Sequence, residues 1–258
     1  MDKTLHFDHK PSFADLWGST ARILYDEEAF SNELIEFIKK NNVGKSLADV
    51  AAGDGFPSLT LRRKGLEIDC FDLSDDQIEG FKKNAKRYRV NDSITQASWL
   101  QLPSLVEKNK YSFVMCRGNS FIYAPGGWNS INYNNISPLN VFRKTLEGFF
   151  QILSPNGMLY LDKYKDDEKD HNTPVCKVQI EGRTYNLIFR AKVSKSKRER
   201  YATMVLGNKG GEKETLPNYT YTISWPEIIS LAEEVGFRDI KKVSLKNEKM
   251  FEVYTMRK

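Results

Sequence analysis

The sequence predicts an α/β fold: a parallel sheet with helices on both faces, a late antiparallel insertion and an antiparallel terminal hairpin. Three observations carry this reading. Strand-like and helix-like segments alternate through the first 162 residues. From residue 175 to residue 223 the helical periodicity disappears, and extended segments follow one another across short turns. Two last strand-like runs sit too close together for a parallel crossover, so they pair as a hairpin.

The elements follow in order. Residues 26–40 place Phe30, Leu34, Phe37 and Ile38 at helical spacing, and Asn41, Asn42 and Gly44 break that helix. Residues 46–51 (SLADVA) read as a buried strand running into a glycine turn, and Leu59 and Leu61 open a brief helix. Residues 66–73 (LEIDCFDL) form a second strand, after which Ser74 caps a helix reaching about Val90. Residues 93–97 and 111–116 are further strands. Residues 142–153 alternate as a helix, ended by Ser154-Pro155-Asn156-Gly157 before a strand at 158–162.

Beyond that point residues 175–180, 184–193 and 200–206 are extended, 207–211 (GNKGG) is a loop, and 219–223 is another strand. Ser224-Trp225-Pro226-Glu227 opens a helix with a capping serine, a first-turn proline and an early acid, and Gly236 closes it. Strands at 239–245 and 251–256 end the chain. The expected organisation is an N-terminal helical arm (1–45), a core from 46–170 and 225–258, and an inserted antiparallel β-unit (171–224).

Composition narrows the function. A chain of 258 residues, 40% hydrophobic and 28% charged, is a soluble globular protein with a sizeable core. No apolar run reaches the roughly 18–20 residues of a membrane span, and the first ten residues hold no signal-peptide core. Three scattered cysteines suit a reduced compartment, and three histidines leave little for a metal site. The expectation is a cytoplasmic enzyme with no membrane partner and no metal, a homo-oligomer being left open. The net charge of +5 is concentrated between Arg190 and Lys213, where eight lysines and arginines face two glutamates. Without interleaved aromatics over a wider surface, that stretch reads as a solvated hairpin tip, with docking of an acidic substrate or a partner as the alternative, and its charge does not identify a nucleic-acid partner.

The chemistry sits in Asp49-Val50-Ala51-Ala52-Gly53-Asp54-Gly55-Phe56-Pro57. A glycine turn after the first strand lets backbone approach a ligand, and the following helix start offers unpaired N–H groups. Asp72 ends the next strand, where a carboxylate accepts from both ribose hydroxyls of an adenosine. Turn plus acid fits either a dinucleotide or S-adenosyl-L-methionine. A dinucleotide fingerprint would place its third glycine at Ser58, and its absence counts against pyrophosphate.

From about Leu47 to the C-terminus the chain resembles the class I S-adenosylmethionine-dependent methyltransferases, in their glycine N-methyltransferase-like small-molecule branch. DVAAGDG resembles the family's first motif, Asp72 in FDLSD its ribose acid, and Ala97-Ser98-Trp99-Leu100 its adenine segment. Arg117-Gly118-Asn119-Ser120-Phe121 is similar to the branch's Leu-Gly-Asn-Ser-Phe, and Ser154–Leu159 to its turn before the fifth strand. The resemblance implies a Rossmann-like seven-stranded sheet, an antiparallel terminal hairpin and a β-lid. It places Trp17, Arg22, Ala51, Gly53, Asp72, Leu73, Ser98, Trp99 and Arg117 around S-adenosyl-L-methionine, with Asn119 and Tyr221 at the acceptor. Tyr123, Trp128, Tyr133, Tyr219 and Tyr221 are further candidates for an aromatic acceptor pocket.

Two departures bear on the substrate. The branch's carboxylate-binding arginine falls at Tyr164, which lacks the bidentate fork, and Arg117 adds a cation near the reacting centre. The implied activity is in-line methyl transfer to a nitrogen of an amino-acid-like or specialised-metabolite acceptor. O-methylation of a small molecule is the nearest alternative. Methylation of RNA or protein, and cofactor binding without transfer, stand behind it.

Overall fold

Capping residues written into the sequence start the long helices of the structure, a computed structural model that describes residues 4–126, 137–165, 168–208, 210–214 and 218–258. After β1 (Thr4–Phe7), Ser12 caps α1 (Phe13–Leu24) in a reciprocal box with Asp15. Asp26 caps α2 (Glu27–Lys40), its carboxylate accepting from the Ala29 amide at 3.0 Å. Then come β2 (Leu47–Asp49), α3 (Ser58–Arg63), β3 (Ile68–Asp72), α4 (Asp75–Tyr88, capped by Ser74), β4 (Thr95–Gln96), α5 (Leu102–Leu105) and β5 (Tyr111–Cys116). A 3-10 turn at Ser120–Tyr123 precedes α6 (Pro138–Ile152) and β6 (Leu153–Tyr164). The insertion holds β7 (His171–Ile180), β8 (Arg183–Ser194), β9 (Glu199–Asn208), β10 (Gly211–Glu214) and β11 (Asn218–Tyr221). Helix α7 (Trp225–Val235), β12 (Arg238–Val243) and β13 (Phe251–Arg257) complete the chain.

The main sheet has seven strands in the order β12-β13-β6-β5-β2-β3-β4. All its pairs are parallel except β12–β13 and β13–β6, which are antiparallel. Its central strands β2, β5 and β6 are largely buried on both faces, and side-chain parity sorts them. Val114, Cys116, Leu159 and Leu161 join the core beneath α6 and α7, whereas Phe113, Met115, Met158 and Tyr160 join the core beneath α2 and α4. Strand order reverses about β2, with β3 on one side and β5 on the other. Ligands enter sheets of this kind at that switch point, beyond the carboxyl ends of the strands.

The second sheet runs β1-β7-β8-β9-β10, and β11 also pairs with β9. Its apolar face, including Val178, Leu187, Ala202 and Met204, packs on Leu16 and Trp17 of α1. The N-terminal segment expected to be wholly helical therefore begins as a strand, Thr4 lying opposite Lys177 in parallel register. A four-residue parallel partner so distant in sequence leaves no local turn signal to read. The expected turn at Ser154–Gly157 is a bulge inside β6: Tyr111 pairs with Leu153, and Phe113 next pairs with Met158. Part of the GNKGG loop becomes β10, which continues pairing along β9. No helix among the described residues is long and apolar enough to cross a membrane.

Candidate active site

A cavity opens at the switch point. Its floor is the turn after β2, the end of β3 and the residues following β5, while α1, the inserted sheet and the β12–β13 turn cover it. Asp49, 1% exposed, anchors the turn by accepting from the Ala51 amide at 3.1 Å and the Ser58 hydroxyl at 2.5 Å. Burial pushes its carboxyl up to about 6, against the pull of those two donors. The residue where a dinucleotide motif would carry glycine thus holds the turn to its strand.

Asp72 accepts from the Gly53 amide at 2.8 Å and the Ser74 amide at 2.9 Å. Each carboxylate oxygen keeps a further lone-pair site for a ligand hydroxyl. Burial raises its pKa, opposed by the backbone donors. Gly53 (φ +53°) and Gly118 (φ +83°) both border the cavity in the left-handed region, so backbone rather than side chain forms those walls. Trp99 donates from Nε1 to the Val50 carbonyl at 2.5 Å and stands edge-on to Phe149 at 5.9 Å. Ser98 donates from its hydroxyl to Gln101 at 3.0 Å, keeping its oxygen available as an acceptor.

Arg117 borders the same cavity, but its charge is already engaged. Its guanidinium, 6% exposed, donates to Glu248 at 2.9 Å and lies 3.7 Å from Asp162. It stacks over Phe30 at 4.4 Å, Tyr25 at 4.8 Å and Phe56 at 5.0 Å. Tyr25 also donates its hydroxyl to Glu248. The cation expected beside the reacting centre is therefore neutralised within the wall. Asp162 is fully buried; burial pushes its carboxyl up, and Arg117 opposes that rise.

Asn119 follows in the left-handed region (φ +60°). Its amide donates to Asp162 at 2.8 Å, and its Oδ1 accepts from the Tyr164 amide at 3.0 Å. A backbone N–H can meet only the carbonyl end, so the side-chain orientation is fixed and Nδ2 is the group left for a ligand.

Of the residues singled out from the sequence, Trp17, Ala51, Gly53, Asp72, Leu73, Ser98, Trp99, Arg117 and Asn119 all border this cavity. Arg22 does not: its guanidinium pairs with Asp54 at 2.5 Å, pinning α1 to the glycine turn. Tyr221 is also outside the lining. Cross-strand partners share a face, so Arg200 opposite Thr220 defines one face and Tyr221 opposite Glu199 the other. Tyr219 is 63% exposed and meets the Tyr201 ring edge-on, whereas Tyr123 reaches the cavity. Trp128 and Tyr133 lie outside the described residues.

Sequence reasoning passed over Asp49 as a ligand of the turn, and over Asp162, Phe189 and Arg200. A lone acid ending the apolar run MLYLD was a legible signal for Asp162. Among the described residues no group of three or more His, Cys, Asp or Glu side chains is placed to hold a metal ion.

Comparison with known proteins agrees with this architecture. A methyltransferase from Clostridium acetobutylicum, described as S-adenosylmethionine-dependent, superposes with a TM-score of 0.67 over 95% of this chain and 97% of its own, at 14% identity. The fold is that of the class I S-adenosylmethionine-dependent methyltransferases. The sugar N-methyltransferase KedS8 from a Streptoalloteichus species superposes over all of this chain and 97% of its own, with a TM-score of 0.68 at 14% identity. In sequence, the chain is similar to a glycine/sarcosine N-methyltransferase from Halorhodospira halochloris, 28% identical over 163 residues, 62% of this chain. It spans about half the length of the curated relatives it matches, 54% in that case. No family model matches the chain.

Proposed function

We propose that the protein is an S-adenosyl-L-methionine-dependent methyltransferase acting on a nitrogen of a small-molecule acceptor. The observation that carries this reading is the cavity at the switch point, lined by both Asp72 and Asn119. The names of its relatives support it: the sequence relatives are glycine/sarcosine N-methyltransferases, and its structural neighbours include a sugar N-methyltransferase and an amino pentose methyltransferase.

The residues present fit the methyl donor. Asp72 has acceptor sites for two ribose hydroxyls, Leu73, Ser98 and Trp99 form the adenine side, and Ala51 and Gly53 offer backbone to the methionine part. Bound there, S-adenosyl-L-methionine supplies an electrophilic methyl group on a sulfonium, whose leaving group is neutral. The protein's own task is then to place a neutral amine on the line opposite sulfur, which is orientation work. Asn119 presents Nδ2 to the acceptor. The aromatic walls of Trp17, Tyr164 and Phe189 exclude water, which disfavours an ammonium and favours its neutral form. The inserted sheet acts as the lid over the acceptor side. Arg22 and Tyr221, outside the lining, have no part in this assignment.

Transfer of isotope-labelled methyl from S-adenosyl-L-methionine into a size-fractionated cell extract tests the reading. Label is expected in the small-molecule fraction, on nitrogen by mass spectrometry. Label found only in nucleic acid or protein would overturn it.

A further inference from the structure

The basic stretch of the insertion is not solvated throughout. Lys192, Lys195, Lys197 and Arg198 are exposed, and Arg190 and Arg198 pair with Glu212 and Glu227. Arg200 is different. It is 1% exposed, among the largest fully buried side chains, and it borders the cavity. Among the described residues no carboxylate lies within ion-pair distance of its guanidinium, and its Nε has no hydrogen-bond partner. Its charge rests against the Phe189 ring at 5.5 Å and beside the Tyr123 hydroxyl.

Strand parity explains how it came to be there. On β9 the positions 200, 202, 204 and 206 share one face, and Ala202, Met204 and Leu206 belong to the apolar core of the insertion. An arginine in that row replaces an apolar residue where the row reaches the cavity. Burying a cation without a counter-charge is costly, and such groups are normally paired. Arg117, the other buried arginine of the cavity wall, is paired with Glu248. Arg200 also stands apart from the Asp72 side: Phe189 beneath it touches Tyr164, and Tyr123 follows the Asn119 turn.

We propose that Arg200 is the carboxylate-binding residue of the acceptor site, so that the substrate is an amine that also carries a carboxylate. This rests on the methyltransferase reading and narrows its substrate class. The guanidinium supplies a planar fork matched to the two oxygens, the function that Tyr164 cannot supply. Recognition thus enters from the inserted sheet rather than from the end of β6, and the amine is held at a fixed span from Arg200. An acceptor whose acid is masked as an amide leaves the buried cation unpaired.

The test uses the full chain saturated with S-adenosylhomocysteine, with acetate and acetamide as probes followed by calorimetry or thermal shift. Acetate is expected to bind wild type about tenfold or more tightly than acetamide. Arg200→Met is expected to lose that preference while its affinity for S-adenosylhomocysteine stays within about twofold. Arg200→Lys keeps the charge without the fork and should fall between; it supplies the same comparison if the methionine variant does not fold. Equal binding of acetate and acetamide by wild type would overturn the proposal, as would acetate binding unchanged in both variants. A parallel loss of S-adenosylhomocysteine affinity would assign Arg200 to the methionine carboxylate instead, again overturning it. Absence of S-adenosylhomocysteine binding in wild type would count against the methyltransferase reading, and the acetate–acetamide comparison would still decide Arg200.

Discussion

Arg117 donates to Glu248 at 2.9 Å, joining residues 131 positions apart in the chain. The contact ties the end of β5 to the turn between β12 and β13, and Tyr25 at the end of α1 donates to the same carboxylate. Three walls of the cavity are thereby latched at one point. Removing one partner of a buried pair strands the other charge. Glu248→Ala is expected to lower stability by about 3–5 kcal/mol in urea denaturation. A loss below 1 kcal/mol, roughly what an exposed pair is worth, would show that the latch bears no weight.

Asp72 holds the Gly53 amide while facing the cavity, so its loss should be felt twice. Asp72→Ala is expected to weaken S-adenosylhomocysteine binding at least about tenfold, since hydrogen bonds to a charged group contribute roughly 1.5–3 kcal/mol each. Calorimetric titration measures this. Unaltered affinity would reject the ribose assignment.

Asp49 gives a pH signature. Its carboxyl is raised in the folded protein from an ordinary 3.8 to about 6, chiefly by burial. The folded state therefore binds that proton more tightly than the unfolded chain does. The resulting stability is fully present below about pH 4 and is lost as the pH rises through 6; the gap corresponds to about 3 kcal/mol. Asp49→Asn has no such titration. The stability of wild type relative to this variant should fall by up to about 3 kcal/mol between pH 4 and pH 7. Denaturant melts of both proteins at the two pH values supply the four numbers, and a difference that does not change with pH would contradict the burial argument.

Asn119→Ala removes Nδ2 from the acceptor side and leaves the Tyr164 amide without its partner. Turnover is expected to fall by about tenfold or more, as when one oriented donor is lost at a reacting centre. Wild-type kcat and KM on the small-molecule acceptor would remove Asn119 from the proposed function.

Much of the fold was legible because its signals are local. Ser74, Ser224 and Gly236 mark helix ends by backbone chemistry that involves only their neighbours, and each sits where expected. The run YSFVMC is the strand β5 to the residue. The glycine turn and Asp72 could likewise be read, since a chain reversal followed by a strand-end acid is a matter of spacing.

What the tertiary structure alone decided is which charges meet. In sequence neither arginine shows its fate: Arg117 stands alone at a strand end, and Arg200 sits at a strand start within the basic stretch. Folding pairs the first with Glu248 and Asp162, and gives the second the interior of a cavity with an aromatic ring for company. Pairing across 131 positions depends on the register of sheets whose strands come from opposite ends of the chain. The four-residue strand at Thr4–Phe7 escaped notice for the same reason, its partner lying beyond residue 170. Composition and periodicity fix what most segments become; the cost of an unpaired buried charge is a property of the assembled interior.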